Sequence, residues 1–151
     1  MDSIATSDIK TVVIVEGRPV PTPRPRVLRS GHTYTPRRAL EAQAAVAQAW
    51  IDGRGAVYKE GEPIMAEIRF FIEPPKSWSI KNRKEALEGR IHATSRAIGD
   101  LDNLAKTVLD GLTGIAYVDD SQVTELHVSK AYGTPARTEI TLLAMVSDSI
   151  A

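Results

Sequence analysis

The chain has 151 residues, 42% hydrophobic and 25% charged, with 19 acids balancing 19 lysines and arginines. That length suits one domain with a real hydrophobic core, and the composition is that of an ordinary globular protein. The absence of cysteine excludes disulfides, thiolate zinc sites and thiol catalysis, and no apolar run approaches the roughly 18 residues of a membrane span.

Met1-Asp2-Ser3-Ile4 lacks the basic start and apolar core of a signal peptide, so the chain is expected in the cytoplasm. Residues 1–10 are polar and predicted to fray, leaving 11–151 as the folded domain. Thr11-Val12-Val13-Ile14-Val15-Glu16, β-branched and stopped by Gly17, predicts a strand. Four prolines within 19–25 then exclude helix and disfavour a central strand, predicting a stiff extended loop that projects arginines. Gly31-His32-Thr33-Tyr34 reads as a hairpin tip or short strand.

Pro36, with Thr35 as its cap, opens a predicted helix to about Asp52, with an apolar face at Leu40, Ala44, Ala47 and Ile51. Ile64–Ile72 predicts a second strand stopped by Pro74-Pro75. The basic stretch 76–96 reads as a loop with a short helix at Lys81–Leu87. A main helix follows over Leu101–Leu112, its inward stripe formed by Leu101, Leu104, Ala105, Val108, Leu109 and Leu112, closed by Gly111 and Gly114. Ser121–Ala131 and Arg137–Met145 predict two last strands, joined by a turn at Gly133-Thr134-Pro135. The expected fold is α/β (α+β): one small domain with a mixed sheet and two main helices, in the order β-α-β-α-β-β.

Charge is unevenly spread. Residues 18–38 carry six arginines and no acid, and 76–96 carry six bases against Glu85 and Glu88. Either segment can be simply solvated; together they can hold a polyanion. Between residues 100 and 125, six acids (Asp100, Asp102, Asp110, Asp119, Asp120, Glu125) face one base, Lys106. Taken singly, Asp100 is a helix cap, Asp102 pairs with Lys106 at i, i+4, and Asp119-Asp120 make a turn. Taken together, they suit a divalent cation, since magnesium needs only a few carboxylates plus phosphate.

Other motifs fail on the letters. An EF-hand loop would need an oxygen ligand at Leu104 and glycine at Ala105. There is no Walker-type loop and no Gly-x-Ser-x-Gly. His32, His92 and His127 show no ligand spacing. Trp78 and Tyr34 can stack on bases or simply anchor loops, the second being favoured.

Asp100-Leu101-Asp102-Asn103-Leu104-x-Lys106-x-x-x-Asp110-x-Leu112, followed by Tyr117-Val118-Asp119-Asp120-Ser121-Gln122-Val123, resembles the RusA family of Holliday junction resolvases. Arg24-Pro25-Arg26, Tyr34-Thr35-Pro36, Pro74-Pro75-Lys76-Ser77-Trp78-Ser79 and Lys130-Ala131-Tyr132 extend the likeness over about residues 12–145. The resemblance implies a homodimer that cleaves four-way DNA junctions by paired symmetric nicks, with Mg2+ as cofactor and Mn2+ as a substitute, in a bacterial or phage setting. It implies Asp100, Asp102 and Asp120 as metal ligands, with Asp119 a neighbouring acid, and Lys106 as the catalytic lysine. Arg24, Arg26, Arg29, Lys76, Lys81, Arg83 and Lys84 are the expected DNA contacts. Gly99 stands where the family often carries a proline or a basic residue, which implies a more flexible start to the main helix. Asp110, two turns along that helix, is expected to be structural.

Overall fold

The computed structural model describes residues 10–23 and 26–145, the side chains of Arg26, Val27 and Thr33 excepted. The frayed N-terminus expected over 1–10 therefore lies, but for Lys10, outside the described residues, as does Arg24. The elements run β1 (Lys10–Glu16), β2 (Arg26–Val27), β3 (Thr33–Tyr34), α1 (Arg37–Asp52), β4 (Ile64–Ile72), α2 (Ile80–Leu87), α3 (Leu101–Leu112), a 3-10 turn (Asp120–Gln122), β5 (Val123–Tyr132) and β6 (Arg137–Ala144). The expected order stands, with the β2–β3 hairpin and α2 added to it.

Four strands form one sheet in the order β1-β6-β4-β5. β6 is antiparallel to β1 and β4, while β5 runs parallel to β4, so the sheet is mixed. A parallel neighbour requires a crossover, and the chain makes it from β4 through α2 and α3. β5 and β6, consecutive in sequence, are not paired: the link between them arches over the end of β4, where the Gly133 N–H donates to the Ile72 carbonyl at 3.0 Å. A Cβ on Gly133 would lie 2.7 Å from the Phe71 ring, so only glycine lets the link pass this close.

The core lies between one face of the sheet and the pair α1–α3. Ile64, Ala66, Ile68, Phe70 and Ile72 alternate inward from β4, against Leu104, Val108 and Leu112 of α3 and Val46 and Trp50 of α1. Each fully buried large apolar side chain contributes about 1.5–3 kcal/mol. On the opposite face the Arg137 guanidinium stacks 4.1 Å from the Phe71 ring centroid and bonds Glu139 at 2.9 Å.

Two helix expectations are corrected. The inward face of α1 is Ala39, Val46 and Trp50, whereas Leu40 (51% exposed) and Ile51 (55%) point out. Both stripes have helical spacing; the indole of Trp50, which donates to the Ala56 carbonyl at 2.9 Å, selects the other one. Pro36 is the N-cap residue of α1 and no side chain caps it, so Thr35 does not. Gly111 does not close α3: it lies inside the helix against α1, where a Cβ would come 2.7 Å from the Gln43 carbonyl oxygen.

As far as Pro23 the proline-rich segment is extended, and residues 18–22 are tied down. The Thr107 hydroxyl donates to the Val20 carbonyl at 2.7 Å, so its oxygen accepts from the Thr22 hydroxyl, 2.6 Å away. The Thr22 N–H donates to the Asn103 carbonyl (2.9 Å), and Arg18 reaches the Ala97 carbonyl (3.3 Å). Residues 18–22 thus form a strap across α3 and the loop before it.

Candidate active site

α3 and the edge strand β5 enclose a groove of about 450 Å3, lined by apolar Leu101, Ala105, Leu109, Leu126 and Val128 and by Asp102, Lys106, Asp110 and Asp120. The amphipathic stripe of α3 explains it. Leu104, Val108 and Leu112 are spent in the core, and the helix flank beside them faces the outer side of β5.

The acids divide into two sets. Asp110 holds Lys106, with Oδ2 3.1 Å from Nζ, and Asp119 accepts from the Ser121 N–H at 3.0 Å. The carboxylates of Asp100, Asp102 and Asp120 have no hydrogen-bond or ion-pair partner among the described residues. The expected Asp102–Lys106 pair is therefore replaced by Lys106–Asp110, one turn further on. Asp100 occupies the N-cap position of α3 yet makes no capping bond, so it is not the helix cap that its position suggested. Its carboxylate and that of Asp102 remain at the N-terminal end of α3, where the helix dipole is positive.

Asp119 and Asp120 are presented by a tight turn. Asp119 and Gln122 form a capping box around it. The buried Gln122 amide accepts from the Val118 and Asp119 N–H groups and donates to the Lys59 and Glu62 carbonyls (2.7 and 3.1 Å), fastening the turn to the 59–62 loop. Hydrogen bonds from the Ser121 hydroxyl and backbone hold the exposed Asp119 carboxyl below its usual range. Tyr117 is buried beneath the turn, its hydroxyl donating to the Leu109 carbonyl at 2.7 Å. Burial pushes its pKa up, and the nearby charges of Asp120, Asp110 and Asp119 push the same way.

Among the described residues, no three carboxylate or imidazole side chains converge closely enough to enclose a metal ion. Asp102 and Asp120 share the groove, while Asp100 does not line it. The donor set nonetheless fits a hard cation: three exposed carboxylates without protein partners, on two adjoining elements.

The expected DNA contacts are spread over other elements. Arg29 is exposed at the tip of the β2–β3 hairpin, while for Arg26 only the backbone is described. Lys76 is exposed after Pro74-Pro75, and Lys81, Arg83 and Lys84 are exposed on α2, which Ser79 caps through the Asn82 N–H. Trp78 packs edge-on against Tyr132, ring centroids 5.4 Å apart, so it anchors its loop. His127 bonds Glu125 at 2.7 Å on the exposed side of β5.

Gln122 and Lys130 were not given roles by sequence reasoning. For Gln122 a signal existed, since Asp-x-x-Gln is a capping-box spacing. For Lys130 there was none, because its partner is a backbone carbonyl 31 residues away.

The fold and the acid-bearing groove define a class. The chain matches the family profile of the RusA endodeoxyribonucleases over residues 16–143 and belongs to that family, a family of DNA-cutting enzymes. A curated relative, the uncharacterized protein YqaN of Bacillus subtilis (strain 168), is 34% identical over 131 residues, covering 83% of this chain and 90% of that protein.

Proposed function

We propose that this chain is a magnesium-dependent endonuclease, its single catalytic domain spanning 11–151, that resolves four-way DNA junctions by paired symmetric nicks. The observation that carries the reading is the selective freedom of Asp100, Asp102 and Asp120, in a member of a nuclease family, while Asp110 and Asp119 are engaged. Packing does not require three partnerless acids at one helix start and the neighbouring turn, since their mutual repulsion costs stability.

Asp100, Asp102 and Asp120 would hold Mg2+, or Mn2+ in its place. Magnesium takes one or two carboxylates and completes its shell with water and phosphate oxygens, so no closed protein cage is required. Such an ion, when bound, neutralises phosphate charge and supplies an activated water. Lys106 sits in the same groove and exchanges Asp110 for a non-bridging oxygen of the scissile phosphate, where its ammonium offsets developing negative charge. Asp119 shapes the turn that carries Asp120. Arg24, Arg26, Arg29, Lys76, Lys81, Arg83 and Lys84 contact backbone phosphates, which position the duplex arms without reading sequence. A homodimer presents two such sites to the two matching strands of a two-fold junction. This activity belongs with DNA in the cytoplasm of a bacterium, on its chromosome or that of a resident phage.

A synthetic four-way junction incubated with protein and Mg2+, beside Asp102→Asn, tests the reading. Paired nicks from the wild type and none from the variant are expected. Binding by both proteins without cleavage by either would replace it with a non-catalytic junction-binding role, and equal cutting of linear duplex would replace it with general nuclease action.

A further inference from the structure

Lys130 lies on β5 in the row Leu126, Val128, Lys130, the side of the strand that fronts α3, and it pairs in register with buried Phe70. Its stem is half-buried, and its ammonium donates to the Gly99 carbonyl at 2.9 Å. That carbonyl belongs to the peptide unit whose nitrogen is the backbone nitrogen of Asp100.

Gly99 is where this peptide is set. Its φ is +100°, and a Cβ there would meet the Pro21 ring at 2.9 and 3.0 Å, so both the backbone angle and the strap require glycine. Glycine, however, leaves its following peptide free to rotate. Above the loop, Ile98 is buried and the Gly99 N–H reaches only the Arg96 carbonyl at 3.2 Å. The Lys130 bond selects one orientation of the Gly99–Asp100 peptide. The helix start at Gly99 thus has the Pro21 ring and the Lys130 ammonium beside it.

The placement carries an electrostatic cost. A cation near the first turn of α3 opposes the helix dipole and would repel a bound metal ion. It is tolerated because the ammonium has a carbonyl acceptor.

We propose that Lys130 is a positioning residue for the metal site: by holding the Gly99 carbonyl it fixes the backbone from which Asp100 reaches the ion. This rests on the nuclease reading above. It makes a prediction of opposite sign to a simple charge effect. Removing a positive charge beside a cation site should tighten metal binding; removing a clamp on one of its ligands should weaken it.

The test compares wild type, Lys130→Met and Lys130→Arg. Lys130→Met keeps the aliphatic stem and loses the donor, whereas Lys130→Arg keeps a donor. In metal-free protein, amide hydrogen exchange is followed at Leu104, which donates to the Asp100 carbonyl, and at Thr22, which donates to the Asn103 carbonyl. Junction binding is measured in EDTA, and cleavage against Mg2+ concentration. For Lys130→Met we expect faster exchange at these amides and a Mg2+ requirement raised about tenfold, the effect of one charged-donor hydrogen bond. Junction affinity should stay within about twofold, since one phosphate contact or none is at stake, and Lys130→Arg should restore exchange and Mg2+ requirement toward wild type. Unchanged exchange, a lowered Mg2+ requirement, or loss of junction binding without a change in Mg2+ requirement would each overturn the assignment. If the wild type leaves junctions uncut, the nuclease reading fails, and the exchange data alone decide whether Lys130 clamps the start of α3.

Discussion

At the scale of single residues, the acids near α3 differ by what already engages them. Asp100→Asn, Asp102→Asn and Asp120→Asn should each abolish junction cleavage while keeping or tightening binding, because a negative charge facing phosphate is removed. Asp110→Asn should keep cleavage and cost less than about 1 kcal/mol of stability, as expected for a half-exposed ion pair. Nicking and gel-shift assays on the four variants check this; normal cleavage by any of the first three removes that residue from the ligand set. Tyr117 provides a pH test. Its folded pKa is raised, so its contribution is fully present below the ordinary phenol value of about 10 and is lost as pH rises from there. Stability should therefore fall on the alkaline side. Tyr117→Phe should cost about 1 kcal/mol at neutral pH, for the bond to Leu109, and flatten the alkaline fall. Denaturant titrations at several pH values measure both.

Among the elements, α3 was legible almost residue for residue, because its stripe of leucines, valine and alanine has one helical phase and no competitor. α1 was legible in extent but not in facing. Its alanine-rich sequence allows two stripes; Trp50 selects one, and Gly111 lets that face come close by admitting the backbone of α1 at Gln43 and the side chain of Val46. Gly111→Ala should push the helices apart and destabilise the fold by about 1–3 kcal/mol, the usual cost of overpacking; a melting temperature equal to wild type would show that α1 yields freely. The 119–122 turn was legible as a turn, but its fastening to residues 59–62 by Gln122 was not, since the two bonds that do it join segments about 60 residues apart. Gln122→Leu leaves two N–H donors and two carbonyls unpaired. It should cost about 2–3 kcal/mol and, by freeing Asp120, reduce cleavage more than junction binding.

For the whole molecule, net charge is zero, so attraction to DNA depends on how the bases are distributed. They stand on the hairpin tip, after Pro74-Pro75 and along α2, apart from the acidic groove. Junction binding should weaken with salt, and each cation removed, as in Lys81→Ala or Lys84→Ala, should lower the log–log slope by about 0.9. Equal slopes for wild type and variants would take α2 out of the interface.

The sequence by itself determined the mixed α/β class, the span of α3, the acids and lysine of the groove, and the RusA likeness. These rest on local periodicity and on a motif contiguous in the chain. The tertiary structure decided which acids are free and which are engaged, where β6 inserts beside β4, and that Pro21 and Lys130 both lie beside Gly99. Each of these depends on segments far apart in the chain being brought within a few ångströms, and no local pattern of residue types encodes such a distance.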